Sequence, residues 1–211
     1  SSLFPDTAYG VESGGDPKDI PTLTYENYLE FHKKYYHPSN SYIYLYGDMD
    51  VEEKLRWMDE KYLSHFSYAP VDSEIKFQKP FAKTKEVVEA YPFTEGEDSK
   101  DKTYISYNTV VDTSLNKELY VAFQILEYVL IDNPGAPLKQ ALLDKGIGKD
   151  ILSSYDNGIL QPVFSIIAKD ANEEQKDAFM DVLTSTLQKL VKEGLDEQAL
   201  LAAITYFEFK Y

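Results

Sequence analysis

The stretch Asp150-Ile151-Leu152-Ser153-Ser154-Tyr155-Asp156-Asn157-Gly158-Ile159-Leu160-Gln161-Pro162-Val163-Phe164-Ser165-Ile166-Ile167-Ala168-Lys169 decides the fold. Residues 150–155 and 159–169 read as two paired strands, with Asn157-Gly158 as the hairpin signal between them. Pro162 lies inside the second run. It predicts an edge position or a bulge, because proline cannot donate to a ladder. Upstream, residues 86–93 predict a strand and residues 94–102 a charged loop. Residues 103–112 predict another strand, with Tyr104, Ser106 and Asn108 opposite Ile105, Tyr107 and Thr109. A helix over residues 115–132 carries Leu119, Ala122, Phe123, Leu126 and Leu130 on one stripe. Asn133-Pro134-Gly135 breaks it, and a short helix over 137–143 opens on Pro137. Downstream, Asn172 with Gln175 caps a long helix that Gly194 ends. A last helix opens at Asp196. Strand, strand, helix, short helix, strand, strand, helix, helix gives a two-layer α+β domain. Its sheet is antiparallel or mixed, with the helices on one face.

The first third is different. Residues 1–23 are loop-like, punctuated by Pro5, Gly14-Gly15, Pro17 and Pro21. Thr24 caps a helix whose stripe is Tyr25, Tyr28, Leu29, His32 and Tyr35/Tyr36, and His37-Pro38 stops it. Residues 41–47 predict a strand with Tyr42, Tyr44 and Tyr46 on one face. Asp50 with Glu53 then opens a second helix in the manner of a capping box. One strand cannot form a sheet, so residues 1–66 are incomplete alone or pair with something else. Residues 67–84, with Pro70 and Pro80, read as a linker. The domains expected are therefore 1–66 and 85–211.

The 211 residues carry 21 Lys+Arg against 36 Asp+Glu, a formal charge of −15. That disfavours nucleic acid, whose binding needs a basic face, and an anionic membrane surface. Cysteine is absent, which excludes disulfides, Cys-ligated zinc and thiol chemistry. No apolar run reaches the ~20 residues of a membrane span. The start has neither an initiator Met nor a signal peptide, and the last helix stops mid-stripe, so both ends read as cut.

The candidate sites are few. A helical zinc pair needs two histidines at i, i+4, and His32, His37 and His65 offer no such spacing. H-E-x-x-H and H-x-x-E-H are both impossible here. His32 reads as a core-edge residue and His37 as a cation suited to a helix C-terminus. Ser13-Gly14-Gly15-Asp16 resembles an anion loop but lacks the flanking strand and helix, so a turn is the simpler reading. Asp48, Asp50, Glu52 and Glu53 could face a hard cation, yet an acid-rich helix start explains them as well. The tyrosine face could line a peptide-binding wall; packing beneath helices is preferred. No catalytic, metal or cofactor-binding residue is assigned.

Certain stretches resemble a known family. They are residues 4–17, Leu23-Thr24-Tyr25, residues 31–40 and Tyr46-Gly47-Asp48. Pro134-Gly135-Ala136-Pro137-Leu138 and Ser153-Ser154…Leu160-Gln161-Pro162 are similar too. Together they resemble the insulinase (pitrilysin-like) zinc metallopeptidases, in their presequence-protease branch. The resemblance implies two similar halves closing over unfolded peptides, with zinc held by H-x-x-E-H and a further Glu. It places those residues upstream of Ser1 and a substrate-positioning Arg/Tyr pair downstream of Tyr211. Zinc is then expected in the full-length parent and not in this chain. The implied partners are unfolded peptides and the remaining domains of the same polypeptide. The compartment stays open between a bacterial cytoplasm, the first expectation, and an organellar matrix. Two other readings stand beside this one: a catalytically dead scaffold subunit of the same fold, and an acidic module for basic peptides.

Overall fold

The computed structural model describes residues 2–211. The chain divides into two compact units, Ser1–Lys76 and Phe77–Tyr211. The division falls inside the stretch that the sequence marks as a linker. Gln78 shows why the residues after it go with the second unit. Its N–H donates to the Gln161 side-chain oxygen at 2.6 Å, and the Gln161 amide donates back to the Gln78 carbonyl at 3.3 Å. A side-chain amide here imitates one rung of a backbone ladder.

The second unit is built on three antiparallel strands: β1 (Thr103–Val110), β2 (Asp150–Asp156) and β3 (Val163–Ala171), in the order β1-β3-β2. Asp150 pairs with Lys169 and Asp156 with Val163, so residues 157–162 make a six-residue connection. Two expectations change here. β3 begins after Pro162, and β3 is the central strand, not an edge. Pro162 stays outside the ladder's donor positions, and only its carbonyl is used, accepting from Val111 N–H at 2.8 Å. The irregularity lies at the other end of β3. Thr103 pairs with Ala171 but Ile105 with Ala168, and Asp170 takes φ +54 as the extra residue of a bulge.

The period of two puts Ile105, Ile151, Phe164, Ile166 and Ala168 on one face. All are buried. Helices cover that face: α4 (Pro137–Asp144) and α5 (Lys176–Glu193) bring Leu138, Leu142, Phe179 and Leu183 into the same core, and α3 (Lys117–Glu127) packs Leu119, Phe123 and Leu126 against it. The other face carries Ser106, Asn108, Ser154 and Leu152, all exposed. This is the two-layer α+β arrangement with helices on one side. α3 starts where Asn116 caps it, its side-chain oxygen accepting from Leu119 N–H at 3.3 Å. The predicted helix over 115–132 is α-helical only to Glu127. Tyr128–Asp132 is a π-turn, closed by Asn133 N–H to the Tyr128 carbonyl at 2.8 Å. The last helix, α6 (Glu197–Lys210), opens on Asp196, which accepts from Ala199 N–H at 2.7 Å.

Residues 86–93 form no strand. The run holds Glu86, Glu89 and Pro92, and Val88 is exposed. Side chains hold it instead: Glu86 pairs with Lys176 at 2.7 Å, and the Tyr91 hydroxyl donates to the Lys102 carbonyl.

In the first unit, α1 (Tyr25–Tyr35) and α2 (Val51–Lys61) form as the sequence predicts. Thr24 and Asn27 cap α1 reciprocally, and Asp50 caps α2 by accepting from Glu53 N–H at 2.9 Å. Residues 41–46 carry no regular secondary structure and pair with no strand among the described residues. Phe4 is the one buried apolar residue among the described residues of this unit.

The two units therefore predict opposite mutational responses. Phe179→Ala removes a fully buried ring and is expected to destabilise the chain by about 3–5 kcal/mol. Tyr44→Ala, at an exposed site, is expected to change stability by less than about 0.5 kcal/mol. Urea unfolding of both variants followed by circular dichroism checks this.

Candidate functional site

Each histidine is engaged locally. His32 stacks on Tyr36, ring centroids 4.7 Å apart and 8° from parallel, with Tyr28 on its other flank at 6.3 Å. His37 accepts from Ser39 N–H through Nδ1 at 3.1 Å and meets Phe66 edge-on. This caps the turn Pro38–Asn40, a different job from the dipole role that the sequence suggests. His65 Nδ1 lies 3.3 Å from the Tyr62 carbonyl, after α2. Among the described residues, no three His, Cys, Asp or Glu converge where they could hold a metal ion. The residues present do not fit zinc, because the three histidines are dispersed and no set of ligands converges among the described residues.

The acidic candidates are also structural. The Asp50 carboxylate is the α2 cap, and Glu53 pairs with Lys54 at 3.1 Å. Asp16 accepts from Lys18 N–H at 2.8 Å, so its carboxylate is used by the turn that follows the Ser13–Asp16 segment. In the charged loop, Glu97 pairs with Lys102 at 2.9 Å. Asp101 takes φ +56 and exchanges two 2.8 Å hydrogen bonds with Asn172. It also pairs with Lys149 at 2.9 Å, and Lys149 and Asn172 hold its carboxyl below the ordinary range. The loop is thus fastened to the β3–α5 junction.

The tyrosine face turns out differently from the preferred reading. Tyr42, Tyr44 and Tyr46 are exposed at 104%, 85% and 86%, with Tyr44 and Tyr46 stacked 6.5 Å apart. The opposite face of the segment, through Ile43, lines an open groove with Phe31, Tyr35, Trp57 and Tyr62. The groove encloses about 980 Å³. In the second unit, a smaller cleft of about 350 Å³ lies between β1 and α5, lined by Tyr107, Met180, Leu187 and Val191.

One polar cluster escaped the sequence reading. Glu127 ends α3, and Asp132 ends the π-turn. The Ser153 hydroxyl of β2 donates to Asp132 at 3.1 Å, and the buried Tyr155 hydroxyl has no partner among the described residues. Burial raises the Glu127 pKa above the ordinary 4.5, and Asp132 adds to the rise; hydrogen bonds from Ser153 and the Tyr155 backbone partly offset it. The signal was present: Glu127 stands four residues after Phe123, beside an apolar stripe.

Residues 22–207 match the family described as the peptidase M16 inactive domain. Protein HypA of Clostridium perfringens is 45% identical over 209 residues, covering 99% of this chain and 22% of that protein. Presequence protease 1, chloroplastic/mitochondrial, of Arabidopsis thaliana is 40% identical over 212 residues, again 99% of this chain and 20% of that one. The chain thus spans about a fifth of the length of these relatives. A Helicobacter pylori protease structure superposes with a TM-score of 0.58 at 19% identity, covering 93% of this chain and 46% of that one. An M16-like peptidase of Alicyclobacillus acidocaldarius gives 0.56 at 17%, covering 95% and 46%. These two show a shared fold.

Glu127 yields a signed pH prediction. A raised native pKa means the folded state holds its proton longer than the unfolded chain, so this contribution is full below about 4.5 and is lost as pH rises through the native titration. Glu127→Gln is therefore expected to stabilise the chain at pH 7 relative to the parent, with the gain shrinking toward pH 4. Urea midpoints across that range measure it.

Proposed function

Because this chain belongs to the M16 peptidase family, through its inactive domain, we propose that it is a non-catalytic piece of a longer zinc metalloendopeptidase that degrades unfolded peptides. The observation that carries the reading is the match of residues 22–207 to the inactive domain, together with 40% identity to a presequence protease. In this reading residues 1–66 are the C-terminal part of a catalytic-type domain, without its zinc ligands. Residues 85–211 are a second domain that forms part of the wall of the substrate chamber.

M16 peptidases are zinc-dependent as a family, and in the full-length protein a zinc ion would act as Lewis acid and activator of water. No residue of this chain is given a step in that chemistry. What it contributes is shape. The sheet face left uncovered by helices carries Ser106, Asn108 and Ser154, with the Asn108 amide donating to the Ser106 hydroxyl at 2.9 Å. This mixed face, which also carries Leu152 and Asp156, can border an extended peptide without binding it tightly. The charge of −15 keeps the surface solvated and draws basic peptides by long-range attraction.

The test sets the 211-residue chain beside the full-length protein, with an unfolded peptide as substrate. Cleavage by the full-length protein alone is the expected result. Cleavage by the chain alone would overturn the reading. Inactivity of both would favour a scaffold subunit of the same fold.

A further inference from the structure

Asn157-Gly158 is the pair that the sequence marks as a tight hairpin, and the structure does not use it as one. β2 ends at Asp156 and β3 begins at Val163, so the pair lies in the connection between them, outside every helix and strand. Neither residue has a positive φ, whereas the two-residue turn that Asn-Gly favours needs one at both positions. Asn157 is half-buried and Gly158 exposed. Among the described residues no hydrogen bond holds the Asn157 side chain or the Gly158 N–H. Gly158 also has room around it. Nothing stands nearer to the place of a Cβ than Asp156 Oδ1, at 3.8 Å.

The other asparagines are held. Asn27 accepts from the Thr24 hydroxyl at 2.9 Å, and the Asn40 amide donates to the Tyr35 carbonyl at 2.9 Å. The amide of Asn108 donates to Ser106 at 2.9 Å, that of Asn116 to Asp112 at 2.8 Å and that of Asn172 to Asp101 at 2.8 Å. Asn133 precedes Pro134, whose nitrogen carries no hydrogen. The residues after the other five are Tyr28, Ser41, Thr109, Lys117 and Glu173, each with a Cβ crowding its peptide nitrogen. Asn157 alone is followed by glycine.

We propose that Asn157 is a site of spontaneous covalent modification, at which the Gly158 peptide nitrogen attacks the Asn157 side-chain carbonyl and converts the residue to aspartate and isoaspartate. Hydroxide takes the Gly158 N–H proton, and the nitrogen bonds to Asn157 Cγ. The Cγ–Nδ2 bond then breaks, and Nδ2 takes a proton from water and leaves as ammonia. The cyclic imide that remains is opened by water at either of its carbonyls. Cleavage of the new bond to Cγ gives aspartate; cleavage of the original peptide bond gives isoaspartate, with the chain running through the side chain. Overall, water is consumed and ammonia released, and nothing is oxidised or reduced. Glycine suits the step because no Cβ blocks its nitrogen, and a segment free of ladder bonds can bring that nitrogen onto Cγ. The change adds a negative charge beside Asp156. It leaves the ladder intact, since the last pair is Asp156 with Val163.

Ageing the 211-residue chain at physiological temperature and mildly alkaline pH, followed by peptide mapping with mass spectrometry, tests this. Asn157 is expected to convert at least about fivefold faster than any other asparagine, because a hydrogen bond must first break at the others. Both aspartate and isoaspartate are expected. Another asparagine converting as fast would overturn the proposal. So would an unchanged Asn157 over a period that converts it in the urea-unfolded chain. Aspartate alone would mean direct hydrolysis without the imide, with the same consequence. Gly158→Ala gives an independent readout. Its Cβ meets no contact closer than 3.8 Å and φ is not positive, so the circular dichroism spectrum is expected to stay as it was. Conversion at Asn157 is expected to fall to the rate of the other asparagines. Undiminished conversion would remove the Gly158 nitrogen from the reaction and contradict the proposal.

Discussion

Ile105, Ile151, Phe164, Ile166 and Ala168 share one face of a three-stranded sheet, and that face must be kept from water. The rest of the second unit follows from this constraint. α4 and α5 supply Leu138, Leu142, Phe179 and Leu183, all nearly or fully inaccessible. The π-turn lets three successive residues, Val129, Leu130 and Ile131, be buried where α3 ends. Gly148 meets the same constraint from the backbone side. At φ +66 its place for a Cβ lies 2.6 Å from the Lys169 carbonyl, so only glycine lets the chain pass this close to β3. This unit closes a core from its own residues.

The first unit cannot. Its helices are capped and correctly placed in the sequence, yet they hold little apolar surface away from solvent. Burial of aromatic faces is worth about 25 cal/mol per Å². Tyr25, Tyr28, Phe31 and Trp57, all exposed, leave that contribution unrealised within this chain. One unit thus closes its own core while the other leaves its aromatic side chains in solvent. This accords with a polypeptide several times longer, in which chemistry and architecture are assigned to different segments.

Much of the fold was legible in the sequence because it rests on local signals. Asn172 and Gln175, Thr24, Asp50, Asp196 and Gly194 each mark a helix end where the structure has one. The alternation in β1 set its faces correctly, with Ile105 buried and Tyr104, Ser106 and Asn108 exposed. The failures share a cause: pairing is not local. Residues 41–46 and 86–93 have the period of strands, but a strand exists only with a neighbour, and the sequence does not say whether one is present. Pro162 misled for the same reason. It marks where β3 starts, and only the topology shows that β3 is central. The Glu127, Asp132 and Ser153 cluster joins α3, the π-turn and β2, so no short window contains it. The histidine spacing, by contrast, could be judged from the sequence alone, and the structure places all three in local turns and ring stacks.

We take this chain to supply architecture and no metal chemistry. Equilibrium dialysis of the 211-residue chain against zinc at neutral pH, with bound metal measured by atomic absorption, addresses it most directly. No stoichiometric uptake is expected, since His32, His37 and His65 are dispersed and no ligand set converges among the described residues. One tightly held zinc ion per chain would contradict it.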